Sequence, residues 1–181
     1  MINRSTEIAD HVGRTLEGIA YKYNHPSRVT DDGWHSSYYE ELLRGSDART
    51  LSHRAAFPLT RLHSAHGGVA VGEVSFHRSD NERALLFRAV VDLGRDGDDL
   101  LAEIDQWRDA SVTFDPLRTT YRSTQYHGRI TQRAEIRLAE LALSPVGTGL
   151  AAGAEVTLVR SVQPGTPRLD ELRRRRQSLA L

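Results

Sequence analysis

The sequence predicts a mainly β domain, a small closed or nearly closed barrel with flanking helices. Three observations lead there. Short runs alternate apolar and polar residues with period two, clusters of turn residues separate those runs, and only one stretch carries a clear helical period. A chain of 181 residues with 39% apolar content is long enough to bury one core and too short for two, so one domain with tails is expected: residues 1–13 as an N-terminal tail, 14–163 as the domain and 164–181 as an Arg-rich C-terminal tail.

The elements follow in order. From Thr15 to Tyr23, Glu17, Ile19, Tyr21 and Tyr23 alternate with Leu16, Gly18, Ala20 and Lys22, the pattern of a strand, which Asn24-His25-Pro26-Ser27 breaks. Asp31-Asp32-Gly33 reads as a turn, and a short helix is expected near Tyr39 to Arg44. Ala56 to His63 and Val69 to His77 read as strands joined by a loop with Gly67-Gly68, so histidines sit at a strand end. Leu85 to Asp92 is a further strand. A helix follows, N-capped by Asp98 or Asp99, with Leu100, Leu101, Ile104 and Trp107 on one stripe. It delivers the chain to the strand Ala110-Ser111-Val112-Thr113-Phe114. Thr119 to Tyr126 and Arg129 to Leu143 form a hairpin through His127-Gly128, and Glu155 to Val162 is the last strand.

Bulk properties narrow the functional classes. The formal charge is +0, so no global field favours nucleic acid or an anionic membrane, and neither is an expected partner. With no cysteine there are no disulfides, thiolate nucleophiles or cysteine-bound zinc, which suits a reducing cytoplasm. No stretch approaches the roughly 20 apolar residues of a membrane span, and the N-terminus lacks a signal-peptide pattern. The run Arg173-Arg174-Arg175-Arg176 reads as a solvated tail, because arginine is the basic residue almost throughout and Lys22 is the sole lysine.

Ser111 is the candidate nucleophile. A serine hydroxyl is weak at neutral pH and needs a neutral imidazole to take its proton, with a third group to hold that imidazole in one tautomer. The strand-end histidines His63 and His66 are the candidate bases. His25, His35, His53, His77 and His127 show no metal-ligand spacing, and neither metal nor cofactor is expected. Glu40 and Glu41 read as a solvated edge, since neighbours on a helix face different ways.

The ordered series Tyr38 to Leu51, Phe57-Pro58-Leu59, His63-Ser64-Ala65-His66-Gly67-Gly68, Val69 to Val74, Ser111-Val112-Thr113-Phe114, Glu140-Leu141-Ala142-Leu143 and Gly153 to Val156 resembles the HK97-type phage prohead (capsid maturation) serine proteases. The resemblance spans about residues 14 to 160, and it rests on order and spacing more than on any single motif. It implies a herpesvirus-protease-like barrel, as in the related assemblins, and a catalytic set of His66, Ser111 and Glu140. His66 is preferred over His63 because the family spaces its histidine about seven residues before a strand glycine, and Gly72 lies six after His66 but nine after His63. An insertion in the glycine loop would favour His63. Glu140 matches the glutamate of the family's E-[VI]-[SA]-L strand, on an apolar face shared with Ala134, Ile136 and Leu138, where an ionised carboxylate needs a partner. Thr113 replaces the glycine of the family's S-x-G-F and is expected to narrow the cleft or perturb oxyanion stabilisation.

The implied function is a serine endopeptidase that cleaves the scaffolding region of the major capsid protein, and itself, inside the prohead in the cytoplasm of a bacterial host; a homodimer is possible by analogy with the assemblins. The alternative is an assembly factor of the same fold that binds capsid protein without cutting it.

Overall fold

A computed structural model describes residues 13–30, 37–146 and 155–159. Within them the chain is mainly β, with few helices and a sheet curled into a half-barrel. The strands are β1 (Thr15–Lys22), β2 (Ser27–Thr30), β3 (Ser37–Leu42), β4 (Phe57–Arg61), β5 (Val69–Ser79), β6 (Ala84–Val91), β7 (Asp109–Thr124), β8 (Gly128–Ser144) and β9 (Glu155–Val159). Two helices, α1 (Ala48–His53) and α2 (Arg95–Ala102), and two 3-10 turns, Ser64–His66 and Ile104–Gln106, complete them. The Arg173 to Arg176 run lies outside the described residues, as does the end of the last predicted strand.

The strand order is β2-β3-β8-β4-β5-β6-β1-β9, with β7 on the other edge of β8. β8 organises this sheet. Its first half runs parallel to β3 (Tyr39 beside Ile130), its second half runs parallel to β4 (Leu59 beside Leu141), and β7 pairs antiparallel along its whole length. Between the two parallel partners no strand among the described residues lies beside the edge of β8, and buried backbone groups there need other partners. The chain before and within α1 supplies them: Ile136 N–H donates to Ser46 O (2.8 Å), Thr50 Oγ1 donates to Ile136 O (3.0 Å), and Leu138 N–H donates to Thr50 Oγ1 (3.3 Å).

The core is built from residues of β1, β4, β5, β6, β7 and β8, with Leu16, Phe57, Leu59, Val71, Phe87, Ala110, Leu138, Leu141 and Leu143 all buried. Burying such side chains is the dominant favourable term in folding, at roughly 1.5–3 kcal/mol each. The stripe Leu100, Leu101, Ile104 and Trp107 does pack on this core. Ile104, however, belongs to a 3-10 turn, and α2 starts at Arg95 after Gly94, with Asp96 and Asp98 in its first turn where they favour the positive end of the helix dipole. Neither Asp98 nor Asp99 is the cap. Asp98 instead pairs with Arg14, Oδ1 to Nη1 at 2.6 Å.

Two further expectations are corrected. Tyr39 to Leu42 are strand, not helix, so Glu40 and Glu41 point to opposite faces. Both are buried. Glu40 pairs with Arg133 (Oε2 to Nε, 2.5 Å), and Glu41 is held bidentately by Arg122 (2.6 Å to each oxygen) with Gln132 Nε2 donating at 2.7 Å. The Arg122 hydrogen bonds hold the Glu41 carboxyl below the usual range against the upward push of burial. The Ser111 strand and the hairpin's first strand are also one element, β7, rather than two.

Asp47 precedes α1 but makes no side-chain cap. Its fully buried Oδ2 accepts from Tyr21 Oη (2.8 Å) and Tyr23 Oη (2.6 Å), while Arg78 Nε stands 3.6 Å from Oδ1. Burial, and then the Asp47 charge, push the Tyr21 phenol well above its ordinary pKa. Asp47→Ala leaves two buried phenols without an acceptor and is expected to destabilise the protein by about 2–5 kcal/mol in urea unfolding. The loss should shrink when Tyr21→Phe and Tyr23→Phe are already present.

Candidate active site

The site lies where β4 ends beside β8, whose other edge carries β7. β4 leaves the sheet through Leu62, whose N–H still donates to Leu143 O (2.9 Å) and whose φ of +63° is uncommon for a non-glycine residue and marks local strain. His63 then opens the 3-10 turn Ser64–His66. Gly67 (φ +76°) ends the turn, and Gly68 N–H folds back to donate to His63 O (3.0 Å). A Cβ on Gly68 would sit 2.1 Å from Leu62 O and 2.7 Å from His63 O, so only glycine lets the loop close behind the histidine. Gly68→Ala is expected to lower stability by about 1–3 kcal/mol in urea unfolding.

On β7, Ser111 and Thr113 share the face turned away from the core, opposite Ala142 and Glu140 of β8, while Ala110 and Val112 pair with the core residues Leu143 and Leu141. The register slips between Thr113 and Phe114: Thr113 pairs with Glu140 but Phe114 pairs with Leu138, leaving Ala139 as the extra residue of a β-bulge. The bulge corrects the expectation that Glu140 shares a face with Ile136 and Leu138. Those two turn into the core, and Glu140 turns with Thr113 to the other side.

Glu140, only 6% exposed, is the hub. Ser64 N–H donates to its Oε1 (3.1 Å), Ser64 Oγ donates to Oε2 (2.5 Å), and Thr113 Oγ1 donates to Oε1 (3.0 Å). His63 Nδ1 lies 3.3 Å from the same Oε1 and 2.7 Å from Thr113 Oγ1. Burial pushes the Glu140 carboxyl up, but the Ser64, Thr113 and His63 hydrogen bonds outweigh it and hold the group below the usual carboxylate range. A depressed folded-state pKa adds stability above the unfolded value of about 4.3, and this is lost as pH falls through the folded pKa. Urea midpoints should therefore show wild type above Glu140→Gln at about pH 7, with the gap narrowing toward about pH 3.

The predicted residues are placed as follows. Ser111, 8% exposed, is on the site face two residues before Thr113, and its hydroxyl has no hydrogen-bond partner among the described residues. His66 is on the same turn, exposed, its ring centroid 6.2 Å from that of His63. The spacing argument favours His66, whereas the imidazole that the fold sets against Glu140 and Thr113 is His63. Between both histidines and Gly72 the β4–β5 pairing slips, with Leu59 opposite Gly72 and Thr60 opposite Ala70, so that Val71 is an extra bulged residue. Ser64 and Thr113 join this cluster although the sequence places neither in the catalytic set. The signal for Ser64 is its place next to His63. For Thr113 it is a hydroxyl at strand parity with Ser111.

Fold and site together define a mainly β protein with a carboxylate–imidazole–hydroxyl cluster on the outer face of its sheet. No family model matches the chain, and no curated protein is significantly similar to it. Among the described residues no group of three or more His, Asp or Glu side chains could hold a metal, and no helix is long and apolar enough to cross a membrane.

Proposed function

We propose that the chain is a serine endopeptidase of the prohead-protease type, with a closed, herpesvirus-protease-like barrel. It cuts the scaffolding region of a phage or prophage major capsid protein, and itself, within the prohead in the host cytoplasm. The observation that carries the reading is the convergence of His63 on the buried, ionised Glu140, one strand pair away from Ser111 on the same face. Ser111 Oγ attacks the peptide carbonyl as its proton passes to His63 Nε2. The imidazolium, stabilised by Glu140, returns that proton to the departing amine, and water then hydrolyses the Ser111 ester through the same base.

The non-cutting assembly factor has one observation in its favour: among the described residues no imidazole is hydrogen-bonded to Ser111. Catalytic hydrogen bonds often tighten only when substrate binds. Treatment with diisopropyl fluorophosphate separates the two readings. A phosphoryl adduct on Ser111, lost in His63→Ala, supports the protease. No adduct on any serine supports the assembly factor.

A further inference from the structure

Thr113 stands where the resemblance calls for glycine, and its hydroxyl is between the two groups that a catalytic imidazole–carboxylate pair would bring together. His63 Nδ1 is 2.7 Å from Thr113 Oγ1, and Thr113 Oγ1 is 3.0 Å from Glu140 Oε1, whereas the direct Nδ1 to Oε1 distance is longer, 3.3 Å. A threonine hydroxyl has one proton and two lone pairs, so it can donate once and accept at the same time.

Two proton arrangements are conceivable, and electrostatics separates them. If Thr113 donated to an unprotonated Nδ1, the nitrogen lone pair would face a carboxylate oxygen at 3.3 Å, and Glu140 would lose one of its donors. If Nδ1 carries the proton and donates to Thr113 Oγ1, the hydroxyl proton is free to donate to Oε1 and no lone pair is set against the carboxylate. We infer that Thr113 is a positioning residue that links imidazole to carboxylate, fixing neutral His63 as the Nδ1–H tautomer and leaving Nε2 as its basic atom. The inference rests on the protease reading for its use in catalysis, though the proton arrangement itself does not. Ser64 completes the arrangement by occupying Oε2 and, through its N–H, sharing Oε1, so the carboxylate cannot rotate away from Thr113.

The test is nitrogen-15 NMR of the histidine side chains at a pH where imidazole is neutral, with His63 assigned by its loss in His63→Gln, on wild type, Thr113→Val and Thr113→Ser. Valine keeps the shape and removes the hydroxyl, and serine restores it. Wild type and Thr113→Ser should show His63 as Nδ1–H with the nitrogen shift of a well-bonded N–H, and Thr113→Val, left with only the longer contact to Glu140 Oε1, should move that Nδ1 signal toward a weakly bonded N–H. Capsid-protein cleavage should fall about ten- to a hundredfold in kcat for valine, the usual cost of losing an imidazole's outer partner, and return with serine. An Nε2–H tautomer in wild type, or the same Nδ1 shift and kcat in wild type and Thr113→Val, overturns the inference. The predicted tautomers in a wild-type protein that cleaves nothing would sink the protease reading and leave the Thr113 bridge standing.

Discussion

His63→Ala is expected to lower kcat/KM for capsid-protein cleavage on the order of 10⁴-fold, with His66→Ala remaining within about tenfold of wild type. Removing a triad imidazole takes away both the acceptor for the serine proton and the donor for the leaving amine, and neither water nor a neighbouring group replaces both. His63 is the histidine with this environment: its Nδ1 faces Thr113 and Glu140, which leaves Nε2 for substrate chemistry. His66 sits three residues on, exposed at the end of the 3-10 turn, where alanine leaves the turn's backbone bonds intact. Steady-state kinetics on a peptide spanning the capsid cleavage site measures both variants. A large loss in His66→Ala with none in His63→Ala would restore the assignment that histidine spacing favours.

Ser111→Ala is expected to have the larger effect, a loss on the order of 10⁵-fold or more in kcat, because no other hydroxyl can take over as nucleophile. Thr113 is the nearest rival on the same face, but its hydroxyl is engaged by both His63 and Glu140. Unfolding should be little changed, since Ser111 lies opposite the small Ala142 and has no hydrogen bond among the described residues to lose. Equal urea midpoints with lost cleavage would establish a chemical rather than a structural role. Residual cleavage near the wild-type rate would move the nucleophile elsewhere, with Thr113→Val the next variant to assay.

The β character, the place of most strands and the packing stripe of α2 are legible in the sequence because period-two and helical patterns are written in side-chain type. What is not legible is where the period slips. Ala20, Val71 and Ala139 are each an extra residue in a strand pairing, and each reverses which parity faces the core. In β1, Leu16 and Ala20 are core residues before the slip and Tyr21 and Tyr23 after it, so the apparent two-faced alternation describes no single face. At Val71 the slip adds one residue to the stretch between the histidines and Gly72. At Ala139 it releases Glu140 from the apolar face of Leu138 into the site. A small alanine or a valine carries no mark of a bulge, because the slip is a property of the partner strand as much as of its own. Burial of Glu40 and Glu41 is equally hidden, since their arginines, Arg133 and Arg122, lie in the distant β7–β8 hairpin, 93 and 81 residues along the chain respectively.

Whether Ser111 cuts capsid protein is read most directly by intact-mass spectrometry of the major capsid protein co-expressed with the wild-type chain or with Ser111→Ala. The capsid protein should be shortened at its scaffolding region with wild type and full-length with Ser111→Ala. Full-length capsid protein with both, while the two proteins still co-purify, would contradict the protease reading and leave a binding protein in place of a protease.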